Sequence, residues 1–164
     1  MRRATQRPLL ALLGWLLLCF VVAAVGAAAS VSASAFYAAL VKPAWAPPAG
    51  VFGPVWSVLY LLMGVAAWRV WCRGGWRERR GALQLFVLQL ALNGLWSWLF
   101  FGWRMGGAAF ADIVLLILVL LATMVGFWRA SRLATLLLVP YLAWISFASV
   151  LNWAVWRANP GLLG

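Results

Sequence analysis

Apolar stretches alternate with short polar breaks along almost the whole chain. Five are legible, at about residues 9–29, 54–72, 82–101, 107–128 and 133–155. Each is close to the roughly 20 residues that carry a helix across a bilayer. The breaks after the second, third and fourth runs are short, so those helices are expected as antiparallel neighbours. Residues 30–53 form the one long connection. The pattern predicts an all-α membrane protein, a bundle of five transmembrane helices in one domain over residues 1–164.

Composition supports this. The chain is 67% hydrophobic and 9% charged, with a mean hydropathy of +1.00. A soluble domain of 164 residues could not bury that much apolar surface. The net charge of +11 would suit a nucleic-acid binder, but the basic residues sit between apolar runs, where they specify membrane topology. Nucleic acid is therefore not an expected partner. Sorted by alternate sides, ten basic residues fall with the N-terminus and three (Lys42, Arg104, Arg157) fall opposite. This predicts the N-terminus inside, the C-terminus outside and residues 30–53 on the outer face. A multi-pass integral protein of a bacterial cell membrane is the expected setting. One alternative stays open at the start. Arginines, an apolar run and then Val31-Ser32-Ala33-Ser34-Ala35 imitate a cleaved secretory signal, although the run is longer than such signals carry.

Most site chemistries are absent. The chain has no His, Lys42 is its only lysine, and Glu78 and Asp112 are its only acids. Histidine metal sites, a phosphate-binding lysine loop and paired-carboxylate hydrolysis all fall away. No metal or cofactor is called for. Cys19 and Cys72 are expected unpaired. Asp112 is expected in the first turn of the fourth helix, stabilised by the helix dipole.

What remains is aromatic. Phe52, Trp56 and Tyr60 recur every fourth residue in the second span. Gln89, Asn93, Trp96 and Phe100 share a face of the third, and Tyr141, Trp144, Ala148 and Asn152 a face of the fifth. In the expected orientation the three stripes converge in the outer half of the membrane, beneath the long loop. Two readings stay open. The stripes are helix-packing core with Asn93 and Asn152 as interhelical hydrogen bonders, or they line a cavity for a flat apolar ligand. Trp68, Trp71, Trp103, Trp128, Trp153 and Trp156 fall near span ends, as interfacial anchors do. In the loop, Lys42-Pro43-Ala44-Trp45-Ala46-Pro47-Pro48 predicts a stiff, extended path that carries Trp45 as a lid. Pro54 suits the first turn of the second helix. Pro140 is expected to kink the fifth.

Three motifs turn this pattern into a resemblance. Lys42-Pro43-x-Trp45-x-Pro47-Pro48-x-x-x-Phe52-x-Pro54-Val55-Trp56-x-x-Leu59-Tyr60 resembles the TspO/translocator protein family, the tryptophan-rich sensory proteins. So do Gln89-Leu90-x-Leu92-Asn93-x-x-Trp96-Ser97 and Pro140-Tyr141-Leu142-Ala143-Trp144 with Leu151-Asn152 and Trp156-Arg157. The resemblance implies a five-helix bundle that binds porphyrins in a pocket on the side of the first loop. By motif the pocket would use Trp45, Phe52, Trp56, Tyr60, Asn93 and Trp96, together with Phe100, Trp144, Ala148 and Leu151. Trp56 and Trp144 match positions implicated in light-dependent porphyrin degradation, the one enzymatic activity the resemblance implies. A small-molecule exporter is the alternative function. It would need a coupling carboxylate at the midplane, and Asp112 is expected near a helix end.

Two departures bear on partners. The sterol-recognition consensus wants a Tyr where Trp153 stands between Val150 and Arg157. Some bacterial relatives dimerise through small residues on helix three, and Ala82, Leu83, Gln84 and Phe86 to Leu88 leave little of that seam for a homodimer. Membrane lipid and a flat apolar ligand are the expected partners.

Overall fold

In a computed structural model, the chain is described over residues 8–31 and 33–164. Five helices there are long and apolar enough to cross a membrane. They are α1 (Pro8–Ala29), α3 (Phe52–Trp71), α4 (Gly75–Ser97), α5 (Gly106–Trp128) and α6 (Arg132–Ala158). Two short helices complete the chain, α2 (Ala33–Ala39) in the long loop and α7 (Pro160–Leu163) after α6. Arg2, Arg3 and Arg7, on which part of the expected orientation rests, lie outside the described residues, as does Ser32.

The boundaries differ from the hydropathy pattern where polar residues remain helical. Helix α4 begins seven residues before the expected 82, so Arg77, Arg79 and Arg80 ride on it rather than in a loop. Hydropathy tracks only the part of a helix inside the hydrocarbon, and the backbone hydrogen bonds continue past it. The reversal before α4 is tight because Gly74 (φ 154°) and Gly75 (φ 65°) take left-handed conformations. The 30–53 connection is not uniformly extended. Its first part coils into α2, Ala49–Val51 makes a 3-10 turn, and only the proline segment around Trp45 stays non-helical. Pro54 does sit in the first turn of α3. The Ser131 hydroxyl caps α6 by accepting from the Ala134 N–H at 3.4 Å. Helix α6 then runs through Pro140 as one element.

The spanning helices pack in a ring in the order α1, α3, α6, α5, α4 and back to α1, with α3 also meeting α4. Between membrane helices there is no water to exclude, so close packing must hold them together. Glycines allow it. A Cβ on Gly64 would lie 2.6 Å from Leu16 Cδ2, and one on Gly94 3.3 Å from Val22. Gly106 and Gly107 lie under the Trp156 ring, where an added Cβ would come within 2.6 and 2.8 Å of it. Cys19, Met63, Phe86, Leu120 and Phe127 fill the main core, and a second cluster around Phe36, Leu40 and Leu151 closes the loop end. Leu83 and Phe86, part of the helix-three seam considered for dimerisation, belong to that main core.

Helix ends carry cation–π pairs, with Lys42 over Tyr37, Arg104 over Phe36 and Arg157 over Trp153. Arg132 lies over Trp128 at the other end. Such pairs fit the belt where headgroups meet hydrocarbon. Asp112 departs from expectation. It lies in the second turn of α5, not the first, and is buried with Oδ2 lacking a hydrogen-bond partner. The dipole at a helix end acts over the first turn, so it gives Asp112 little support.

The expected orientation has a direct check. A Gly50→Cys thiol should react with an impermeant maleimide from outside intact cells. An Arg73→Cys thiol, in a Cys72→Ser background, should react only after permeabilisation. Both sites labelling from one face would overturn the five-span count; labelling with the faces exchanged would invert the orientation.

Candidate functional site

A cavity of about 470 Å³ opens within the bundle at the end nearest the long loop. Three walls come from the aromatic stripes. Phe52, Trp56 and Tyr60 project from α3, Asn93 and Trp96 from α4, and Trp144 and Ala148 from α6. Helical spacing puts each set on one face, and the ring order of the bundle points those faces at one another. Phe52 meets Trp144 edge-on at 5.9 Å and Tyr37 of α2 at 5.6 Å. Trp56 lies against Tyr60 at 5.6 Å. Among the described residues no charged side chain lines the cavity.

The buried Tyr60 and Asn93 are already engaged, while Ser30, Ser34, Ser57 and Ser97 add hydroxyls to the lining. The Tyr60 hydroxyl donates to Asn93 Oδ1, and Asn93 Nδ2 donates to the Tyr141 hydroxyl oxygen at 2.9 Å. Asn93 therefore faces the cavity and also ties α3, α4 and α6 together. Trp96 Nε1 donates to Asn152 Oδ1 at 3.0 Å, while Asn152 Nδ2 donates to the Gly106 carbonyl at 3.2 Å. Asn152 is thus interhelical glue, as the packing reading expected, and Gln89 is fully buried against Met63.

Four of the expected site residues stand behind or beside the cavity. Tyr141 is fully buried and supports Asn93 and the Trp56 ring from behind. Leu151 belongs to the second core cluster. Trp45 is 49% exposed and packs edge-on against Phe147 at 5.8 Å, beside the cavity rather than over it. Phe100 is buried and stacked on Trp96 at 5.2 Å, while Phe101 takes the lining position. A π-helical turn over Trp98–Gly102 explains the exchange. With more than four residues per turn, Phe100 stays stacked on Trp96 while Phe101, edge-on to Trp96, is the one turned toward the cavity.

The family can be tested against known proteins. Residues 15–157 match the model of the TspO/MBR family. The chain belongs to the TspO/MBR family. It is 47% identical to the tryptophan-rich protein TspO of Chlorobaculum tepidum, over 78% of this chain and 82% of that one. It is 46% identical to the translocator protein of Homo sapiens, over 79% and 78% of the two chains. It is 38% identical to a tryptophan-rich sensory protein of Cereibacter sphaeroides, over 88% and 92%.

Several parts of this family member's cavity escaped the stripe pattern. Ala23, Gly26 and Ala27 of α1, with Ser30 just past its end, form a fourth wall, and Tyr37 and Ala49 from the loop form its end. The signal was present as small residues at three- and four-residue spacing on α1. Such residues mark close packing as often as a void, so spacing alone could not separate the two. The loop is held by contacts distant in sequence. Asn159 Oδ1 accepts from the Val41 N–H at 2.8 Å, and its Nδ2 donates to the Val41 carbonyl at 2.8 Å. The Tyr37 hydroxyl donates to the Pro47 carbonyl at 3.0 Å, and burial pushes its pKa up, keeping it a neutral donor. Lys42 Nζ donates to the Tyr37 and Leu40 carbonyls at 2.5 and 2.9 Å, capping α2.

Asn159→Ala removes both bonds to Val41 and should cost about 1–3 kcal/mol. Hydrogen exchange at the Val41 amide should accelerate while α3 and α4 remain protected. Unchanged protection at Val41 would show that the loop is held by other means.

Proposed function

We propose that the chain is a membrane receptor for porphyrins, holding the macrocycle among Phe52, Trp56, Trp96 and Trp144. The observation that carries this reading is an uncharged cavity of about 470 Å³ walled by aromatic rings inside the bilayer. That volume lies within the roughly 300–1,000 Å³ of small-molecule sites. Aromatic faces bind a flat π-system by offset or edge contact. A porphyrin with carboxylates on one edge would enter apolar edge first, since ionised groups pay heavily for an uncharged interior. The relatives' names, translocator and sensory protein, are consistent with a small ligand that is carried or reported. The exporter reading gains no support, because Asp112 does not line the cavity. Light-driven porphyrin breakdown is proposed as a secondary activity, in which a Trp56 or Trp144 indole gives one electron to the excited ring and dissolved dioxygen, as co-reactant, takes up the electron and supplies the oxygen that opens the ring.

Titration of intrinsic tryptophan fluorescence with protoporphyrin IX, in nanodiscs, tests the reading. Saturable quenching at one equivalent per chain is expected. Quenching that rises without saturation, as simple partition into lipid would give, would remove the proposal.

A further inference from the structure

The cavity is closed by buried side chains over part of its loop end and open along one side of the bundle. At the loop end Phe36, Tyr37 and Leu40 are all buried, and Tyr37 is fastened to the Pro47 carbonyl. The exposed residues among its walls lie on one seam. Phe20 (43% exposed) and Ala27 come from α1, Gly53 and Ser57 from α3, and Ser34 of α2 with Ala49 of the 3-10 turn continues it at the loop. The course of α1 makes the seam. Near its start it presses on α3, with Leu16 against Gly64. Further along it presses on α4 instead, with Val22 against Gly94 and Gly26 close to Ser97. The end of α3 nearest the loop is left uncovered, and a Cβ at Gly53 would meet nothing within 4 Å.

We infer that this gap between α1 and α3 is a lateral mouth through which ligand loads from the loop-side leaflet. Gly53 and Ala27 form its two lips. The inference rests on the proposed porphyrin site and adds its ligand class: planar amphiphiles dissolved in lipid. The mouth runs from the apolar Phe20 up to Ser34 and the Ala49 turn beside the loop. An amphiphile would keep its apolar edge inward and its ionised edge at headgroup level. No buried cation is then required, which agrees with the uncharged lining.

Phe at either lip would obstruct the mouth while leaving the aromatic walls in place. Gly53→Phe and Ala27→Phe, each in nanodiscs, are mixed with vesicles preloaded with protoporphyrin IX, and quenching is followed in time. Loading and release should both slow by about tenfold, whereas a mere loss of wall contacts would speed release. Melting temperature should stay within a few degrees of wild type. Rates unchanged in both variants would overturn the mouth. A second arm needs no porphyrin. A phospholipid with a diazirine on its acyl chain should label Trp56 in wild type and lose that label in Gly53→Phe. Labelling confined to outward residues such as Leu9 and Val58 would also overturn it. Wild type that takes the acyl label but fails to bind protoporphyrin IX sinks the porphyrin reading and leaves the mouth standing.

Discussion

Trp144→Phe weakens protoporphyrin IX binding about tenfold while leaving the bundle nearly as stable as before. The Trp144 ring lines the cavity, half-buried, and meets Phe52 edge-on and Phe147 at a tilt. Phenylalanine keeps an aromatic face at that place but shortens it and removes the indole N–H. Loss of part of one stacking contact and one donor is worth about 1–2 kcal/mol, and 1.4 kcal/mol is tenfold. A cavity wall without ligand has few partners on its open side, so little packing is lost. Light-driven porphyrin loss should fall further than occupancy does, because phenylalanine is a far poorer one-electron donor than indole. A large fall in melting temperature with affinity unchanged would make Trp144 a packing residue and remove the centre of the functional reading.

Asn93→Leu should do more damage to the fold than any other change at the cavity. Its amide accepts from the Tyr60 hydroxyl and donates to that of Tyr141, and all three residues are buried. Leucine has a similar volume but leaves two hydroxyls without that partner. A buried polar group left unpaired costs about 1–3 kcal/mol, so melting should drop by several degrees and binding should weaken with it. The triple variant Tyr60→Phe, Asn93→Leu, Tyr141→Phe removes every member of the network and should recover much of the stability, since no polar group is stranded. Porphyrin affinity should remain low in the triple variant. If the single and triple variants melt alike, the network is not what joins α3, α4 and α6.

Much of the cavity was legible because side-chain direction in a helix follows sequence spacing. Phe52-Trp56-Tyr60 and Tyr141-Trp144-Ala148 each needed only a period near 3.6 to be placed on one face. The same rule misplaced Phe100, because the π turn at Trp98–Gly102 changes the residues per turn, and nothing in the local composition announces it. The α1 wall was missed for another reason. A void lined by Ala23, Gly26 and Ala27 is made by what those side chains lack, and the same residues could equally have met a neighbouring helix. Trp45 was expected over the cavity on the stiffness of its prolines. The loop is indeed held, but by Asn159 just past the end of α6, 118 residues from Val41, and its path takes Trp45 to Phe147.

The sequence by itself determined the membrane setting, the count of five spanning helices, the family and the faces that carry aromatic side chains. Each of these depends on local quantities: apolar length set against bilayer thickness, residue spacing set against the helical turn, or motifs short enough to compare. The tertiary structure decided which faces enclose empty space and which simply pack. It placed Asn93 on the cavity and Asn152 between helices, although both are amides on aromatic stripes. It also set the course of α1 from α3 to α4 that opens the seam at Gly53. Those outcomes depend on close approaches such as Gly64 to Leu16 and Gly94 to Val22. A contact between separate helices exists only once the whole ring has closed.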